Sequence, residues 1–271
     1  MSAHFKKIII PIHLFALVAL GLLVTNSVNI NWLWATLVGW ILISGFGVAI
    51  GFHRLISHSS FEAHPFMRNL LAYLGSMGAQ GSPVFWASLH NGLHHPYSDT
   101  EKDLHSPIHG KFSAYLGWQI YLKPEKVPFR IGARLIREPF LKFLHKNYDS
   151  VFWGTVILVA LFSWPLALFG VLLPACISTH QENLIDLFCH LPSAGYRNHN
   201  TKDKSVNVYL LGYFAFGQGW HNNHHARPNH YNFGGDRWWE FDICSVLVPL
   251  ISVKKNKIIE LNQKVKNDHA V

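Results

Sequence analysis

Hydrophobic positions along this chain run together instead of alternating with polar ones. No Lys, Arg, Asp or Glu occurs across residues 8–53, and a second charge-free stretch covers 150–181. A membrane-spanning helix needs about 20 apolar residues, so the first window holds two, separated by the polar but uncharged residues 25–31. The second window breaks at Trp164-Pro165, where proline ends or kinks a helix. Its second arm must borrow residues beyond the window and run toward His190. The pattern predicts spans over residues 8–26, 31–52, 148–163 and 166–190, arranged as two hairpins. The segments 54–147 and 191–271 would form a cap, and the whole of 1–271 a single membrane domain. Lys6 and Lys7 ahead of an apolar run also resemble a signal peptide. A second apolar stretch follows at once, which favours a span.

Composition agrees with this reading. Hydrophobic residues make up 49% of the chain and charged residues 14%, about half the usual share of charge in a soluble domain. That excludes a disordered chain and disfavours a soluble acidic enzyme. The balance is 23 Lys plus Arg against 15 Asp plus Glu, a net +8. The hairpin tips lack Lys and Arg, so both termini and the segment between the hairpins are expected on the cytoplasmic side, where cationic segments stay. The run Lys123, Lys126, Arg130, Arg134, Arg137, Lys142 and Lys146 reads as a basic membrane-facing surface able to attract anionic lipid or an acidic partner. Nothing points to nucleic acid. Three cysteines without a CxxC give neither a disulfide framework nor a zinc ribbon.

The chain has 19 histidines, and position gives them meaning. His53 and His58 follow the second predicted span, His90, His94 and His95 lie in the middle segment, and His221, His224 and His225 follow the fourth. His190 sits near the end of the fourth helix. Residues three and four apart share a helix face, so His221, His224 and His225 are expected to converge on one point, as are His90 and His94, with His95 turned partly aside. His53 and His58 are about 140° apart on an ideal helix and should diverge unless the helix ends or distorts between them, or unless they reach two different metals. Imidazole is the commonest metal ligand, and eight or nine are too many for one four-coordinate zinc. They suit two metals, with iron, zinc and nickel all accepting imidazole. A metal pair under the membrane surface could serve hydrolysis of a polar bond, or an oxygen-activating iron centre acting on an alkyl chain. Composition alone does not choose.

In context the clusters resemble the three histidine boxes of the membrane fatty acid desaturases, especially the delta-9 type acting on acyl-CoA or acyl-lipid. Residues 51–58 (GFHRLISH) match the first box. His90 to His95, with Trp86 before and Ser98, Asp99, Thr100, Asp103 and His105 after, look like the second. Residues 217–225 (GQGWHNNHH), with Trp238, Glu240 and Asp242 beyond, look like the third. The resemblance covers residues 40 to 245. It implies an all-α integral membrane fold, four spanning helices under a cytoplasmic helical cap that holds a dimetal site. The implied ligands are His53, His58, His90, His94, His95, His190, His221, His224 and His225, holding two iron ions (Fe2+/Fe3+). The implied reaction consumes O2 and two electrons, and a kinked tunnel would place the chosen methylenes beside the irons to give a cis double bond. No His-Pro-Gly-Gly haem motif occurs, so electrons are expected from a separate ferredoxin, rubredoxin or cytochrome b5 with its reductase.

Three positions depart from the family pattern. Delta-9 acyl-CoA enzymes have two residues between the first histidine of box two and the pair; here there are three, Asn91, Gly92 and Leu93. Asp186 stands where the family's fourth helix carries asparagine, as a direct ligand or as an acid orienting a ligand, with Asn183 a weaker candidate. Gln218 stands where the family has glutamate. His105 and His180 are candidates for substrate contact, and His105 with Asp99 and Asp103 could bind a head group. A hydroxylase on the same scaffold is the alternative outcome, since both reactions begin with the same C–H abstraction. A membrane zinc hydrolase is the rival from another class. A transporter is disfavoured because it would place polar ligands inside the spans.

Overall fold

The computed structural model describes residues 1–254, which are helical with three isolated β-bridges and no strand. The part of the expected cap at 255–271, with the C-terminus, lies outside the described residues. Two helices form the first hairpin, α1 (Phe5–Val24) and α2 (Trp32–Ser57), and both are long and apolar enough to cross a membrane. Helix α2 runs five residues beyond the expected end at 52, so His53 lies inside it and not after it. From Ile41 to Ser57 the helix is π-wound. Helix α3 (Pro65–Ser76) packs along α2, and the two backbones meet at glycine. A Cβ on Gly47 would lie 2.4 Å from the backbone nitrogen of Gly75.

Helix α4 spans residues 83–97, starting with Pro83 in its first turn and Ser82 accepting from the Phe85 amide at 3.1 Å. Its middle, His90–His94, is again a π-turn. Helix α5 (Pro139–Lys146) leads into the second hairpin, whose first arm α6 (Tyr148–Phe162) is apolar but only 15 residues long. At Ser163 the backbone is extended (φ −158°), and the Ser163 hydroxyl accepts from the Leu166 amide. Pro165 then falls in the first turn of the second arm, α7 (164–188), where proline's missing N–H leaves nothing unsatisfied. The expected break is therefore the start of a helix. Short helices α8 (Tyr209–Phe214), α9 (His221–Ala226) and α10 (Cys244–Ile251) complete the cap.

The hairpins share a core of Ile8, Ile12, Phe152, Phe169 and Leu172. Their outer faces are apolar and exposed, with Leu14, Leu17 and Val18 on α1 and Leu158, Leu161 and Phe162 on α6. The three cysteines are buried and unpaired.

Candidate metal centre

The two π-turns decide which histidines meet. In an α-helix one turn separates residues i and i+4; in a π-turn it separates i and i+5. The His58 amide donates to the His53 carbonyl at 3.1 Å, and the His95 amide donates to the His90 carbonyl. His53 and His58 therefore do not diverge, and His90 shares a face with His95 and not with His94. The extra residue in the second box is absorbed by this winding. In α9 ordinary α-winding holds, so His221 and His225 share a face and His224 is turned away from them.

The outcome is two sets of imidazoles. One contains His53, His58, His90, His95 and His224; the other contains His94, His190, His221 and His225. Within each set the ligand atoms all lie within 4.8 Å of one another. The expectation that His221, His224 and His225 converge on one point is corrected: His224 joins the first set and the other two the second. In the first set the Nε2 atoms of His53 and His224 are 2.9 Å apart, as are those of His58 and His90, while His90–His95 is 3.0 Å and His95–His224 3.1 Å. In the second, His190–His221 is 3.1 Å, His221–His225 3.0 Å and His94–His225 3.2 Å.

In the second set every Nδ1 already has an acceptor. His94 Nδ1 donates to Asp103 at 3.1 Å, His190 Nδ1 to Asp99 at 3.1 Å, His225 Nδ1 to Asp203 at 3.0 Å and His221 Nδ1 to the Gln218 carbonyl at 3.3 Å. A neutral imidazole has one proton. With it on Nδ1, the Nε2 atoms of neutral second-set rings are lone pairs facing one another. Such a cluster is satisfied by a cation at its centre. Carboxylate or carbonyl on Nδ1 and metal on Nε2 is also the arrangement that orients metal-bound histidine.

Burial favours the neutral form at His221, His224, His225 and His58; at His190 burial is outweighed by the bonded Asp99, which holds that imidazole above its usual value. Burial pushes His225 down to about 4 despite the bond to Asp203. Burial, followed by the repulsion of His225, takes His58 to about 3. Burial would raise the Asp103 carboxyl, but His105 and His94 beside it hold it below the ordinary range; bonds from His225 and Ser205 do the same for Asp203.

Asp186 and Asn183 stand outside both sets. Asp186 Oδ1 is 3.5 Å from His105 Nδ1, and Asn183 Oδ1 accepts from Gln119 at 3.2 Å. His105 is buried beside His94 and Trp118 and lines the small cavity at His90, Glu182 and Asp186. His180 lies on the other side of α7, bonded to Tyr115 and, at 3.1 Å, to His13. Asp99 and Asp103, which the sequence suggests as head-group binders, instead hold ligand-set imidazoles. Asp203 and Glu182 carry no sequence signal; Asp203 meets His225 from 22 positions away, and Glu182 bonds Gln218 at 2.9 Å.

Three cavities lead to the first set. One of about 620 Å³ lies among His4, Tyr121, Lys123, Phe129 and Tyr148; a pinch of about 10 Å³ follows at Gln80 and Trp118; a space of about 40 Å³ ends at His90, Glu182 and Asp186. Phe85 lines all three.

A sequence model of the family described as Fatty acid desaturase matches residues 31–248. An sn-1 stearoyl-lipid 9-desaturase of Anabaena variabilis is 32% identical over 222 residues, covering 81% of this chain and 79% of that protein. A Delta-9 acyl-lipid desaturase 2 of Arabidopsis thaliana is 33% identical over 245 residues, 88% of this chain and 78% of that protein. An acyl-CoA C20 Delta5-desaturase of Anemone leveillei is 29% identical over 222 residues, 80% of this chain and 70% of that protein.

Proposed function

The chain belongs to the fatty acid desaturase family, and from that premise we propose that it introduces a cis delta-9 double bond into a lipid-bound acyl chain at a two-iron centre. Family membership sets aside the zinc hydrolase and the transporter. The observation that carries the proposal is the pair of histidine sets, each with its ligand atoms within 4.8 Å of one another. His53, His58, His90, His95 and His224 would hold one iron, and His94, His190, His221 and His225 the other. Five donors in one set exceed the four that structural zinc takes, which supports iron. When bound, the irons supply oxygen activation and the oxidising power for C–H abstraction.

The chain's own residues provide the setting. Asp99, Asp103 and Asp203 hold protons on Nδ1 and so keep Nε2 free. The large cavity with its pinched path to His90 suits an acyl tail, with Phe85 and Gln80 setting how far it advances. Two relatives are named as lipid 9-desaturases, and those names favour an acyl-lipid substrate and delta-9.

In this reading both hairpins cross the bilayer, with α1, α2, α6 and α7 as the four spans. Their exposed apolar faces support it. The termini, the cap and the metal site face the cytoplasm, where a ferredoxin, rubredoxin or cytochrome b5 supplies electrons. Arg134 is turned toward the Ile56 and Ser57 carbonyls, so of the basic run Arg130 is the better docking residue.

The test is expression in a host lacking delta-9 desaturation, with mass analysis of its lipids. New acyl chains two hydrogens lighter, unsaturated at carbon 9 and lost with His224→Ala, support the proposal. Gain of an oxygen, or a product that persists in His224→Ala, would refute it.

A further inference from the structure

Gln218 occupies the position where the desaturase pattern has an acid, and it touches both histidine sets. Its side-chain oxygen accepts from His53 Nδ1 at 2.8 Å, and its main-chain oxygen accepts from His221 Nδ1 at 3.3 Å. A carboxylate there would accept whichever way it turned. An amide has one accepting and one donating end. Turned over, Gln218 would aim its NH2 at His53 Nδ1. The imidazole proton would then move to Nε2, the atom 2.9 Å from His224 Nε2, and a protonated nitrogen cannot ligate a metal.

The neighbour that fixes the amide is Glu182, buried at the inner end of α7. Gln218 Nε2 donates to Glu182 Oε1 at 2.9 Å. The same oxygen accepts from Gln181 Nε2 at 3.2 Å, and Gln181 Oε1 accepts from Trp40 Nε1 at 2.9 Å. Polarity therefore runs in one direction along both arms: from Trp40 through Gln181 to Glu182, and from His53 through Gln218 to Glu182. A carboxyl oxygen accepts in either protonation state, so the arrangement needs no particular charge on Glu182.

We propose that Glu182 is a positioning residue that sets the tautomer of His53 through the Gln218 amide, restoring from α7 the acceptor that glutamine at 218 does not guarantee. The proposal rests on the two-metal reading above.

The experiment counts metal in purified full-length protein loaded with Fe2+ under anaerobic conditions. Glu182→Leu removes the acceptor and should lower the count from about two per chain to about one, because a ligand has lost its oriented partner. Glu182→Gln keeps an accepting oxygen and should keep both metals. Adding Gln218→Glu to Glu182→Leu should return the count to about two, since a carboxylate beside His53 accepts without help. A packing role for Glu182 would not be repaired by a change at another residue. Two metals in Glu182→Leu, or a loss that Gln218→Glu does not repair, overturns the proposal. A wild-type chain that binds no metal overturns the two-metal reading instead.

Discussion

Arg54→Met tests what holds the third histidine box against the first. Arg54 follows His53 directly, and its side chain is 0% exposed. It donates from Nε to the Tyr231 carbonyl at 2.7 Å, from Nη1 to the Ala49 carbonyl at 2.8 Å and from Nη2 to Asp242 at 2.8 Å. Its guanidinium lies 3.7 Å from the Phe233 ring centroid. Methionine of similar length leaves three carbonyls, of Tyr231, Ala49 and Phe216, without these donors. Asp242 keeps the amides of Phe233 and Cys244, each at 2.9 Å, but loses its counter-charge. Breaking a buried pair from one side costs about 3–5 kcal/mol. At about 2–4 °C per kcal/mol for a chain of this size, the melting temperature in detergent should fall by about 6–20 °C. Arg54→Met with Asp242→Asn removes both charges and should recover part of the loss. A single variant that melts within about 2 °C of wild type, or a double variant that melts lower still, would refute the reasoning.

Three further predictions follow from the same geometry. Asp203→Ala removes the acceptor on His225 Nδ1 and should weaken metal binding about 10–100-fold in chelator competition; unchanged affinity would remove Asp203 from the site. Deleting Leu93 converts the π-turn spacing of His90 and His95 into α spacing, so both still share a face; metal content should be retained, and its loss would show that the π-turn itself is required. Gly47→Ala puts a Cβ 2.4 Å from the Gly75 backbone nitrogen and should cost about 1–3 kcal/mol, read as a lower melting temperature; a neutral result would mean that α2 and α3 separate easily.

Much of the site was visible in the sequence as an inventory. The charge-free windows marked both hairpins, and the three clusters with His190 supplied all nine imidazoles that converge. The partition between the two sets was not legible, because face-sharing at i and i+4 assumes α-winding. The winding from Ile41 to Ser57 and from His90 to His94 is π, which no pattern of residue types announces. The partners of the histidines were equally hidden. Asp203 reaches His225 and Glu182 reaches Gln218 only through tertiary contact, whereas Asp99 and Asp103 stood near box two with a plausible other use. Asp186, singled out by its departure from the family, lies against His105 and outside both sets. Helix α2 continues past the charge-free window to Ser57, with Arg54 buried against Asp242.

The proposed centre of two irons held by nine histidines is tested by elemental analysis of the full-length protein, purified from iron-replete cells. About two iron atoms per chain and little zinc are expected, since two sets of imidazoles would each hold one cation. About two zinc atoms with no iron, or a single metal of any kind, would contradict the proposal.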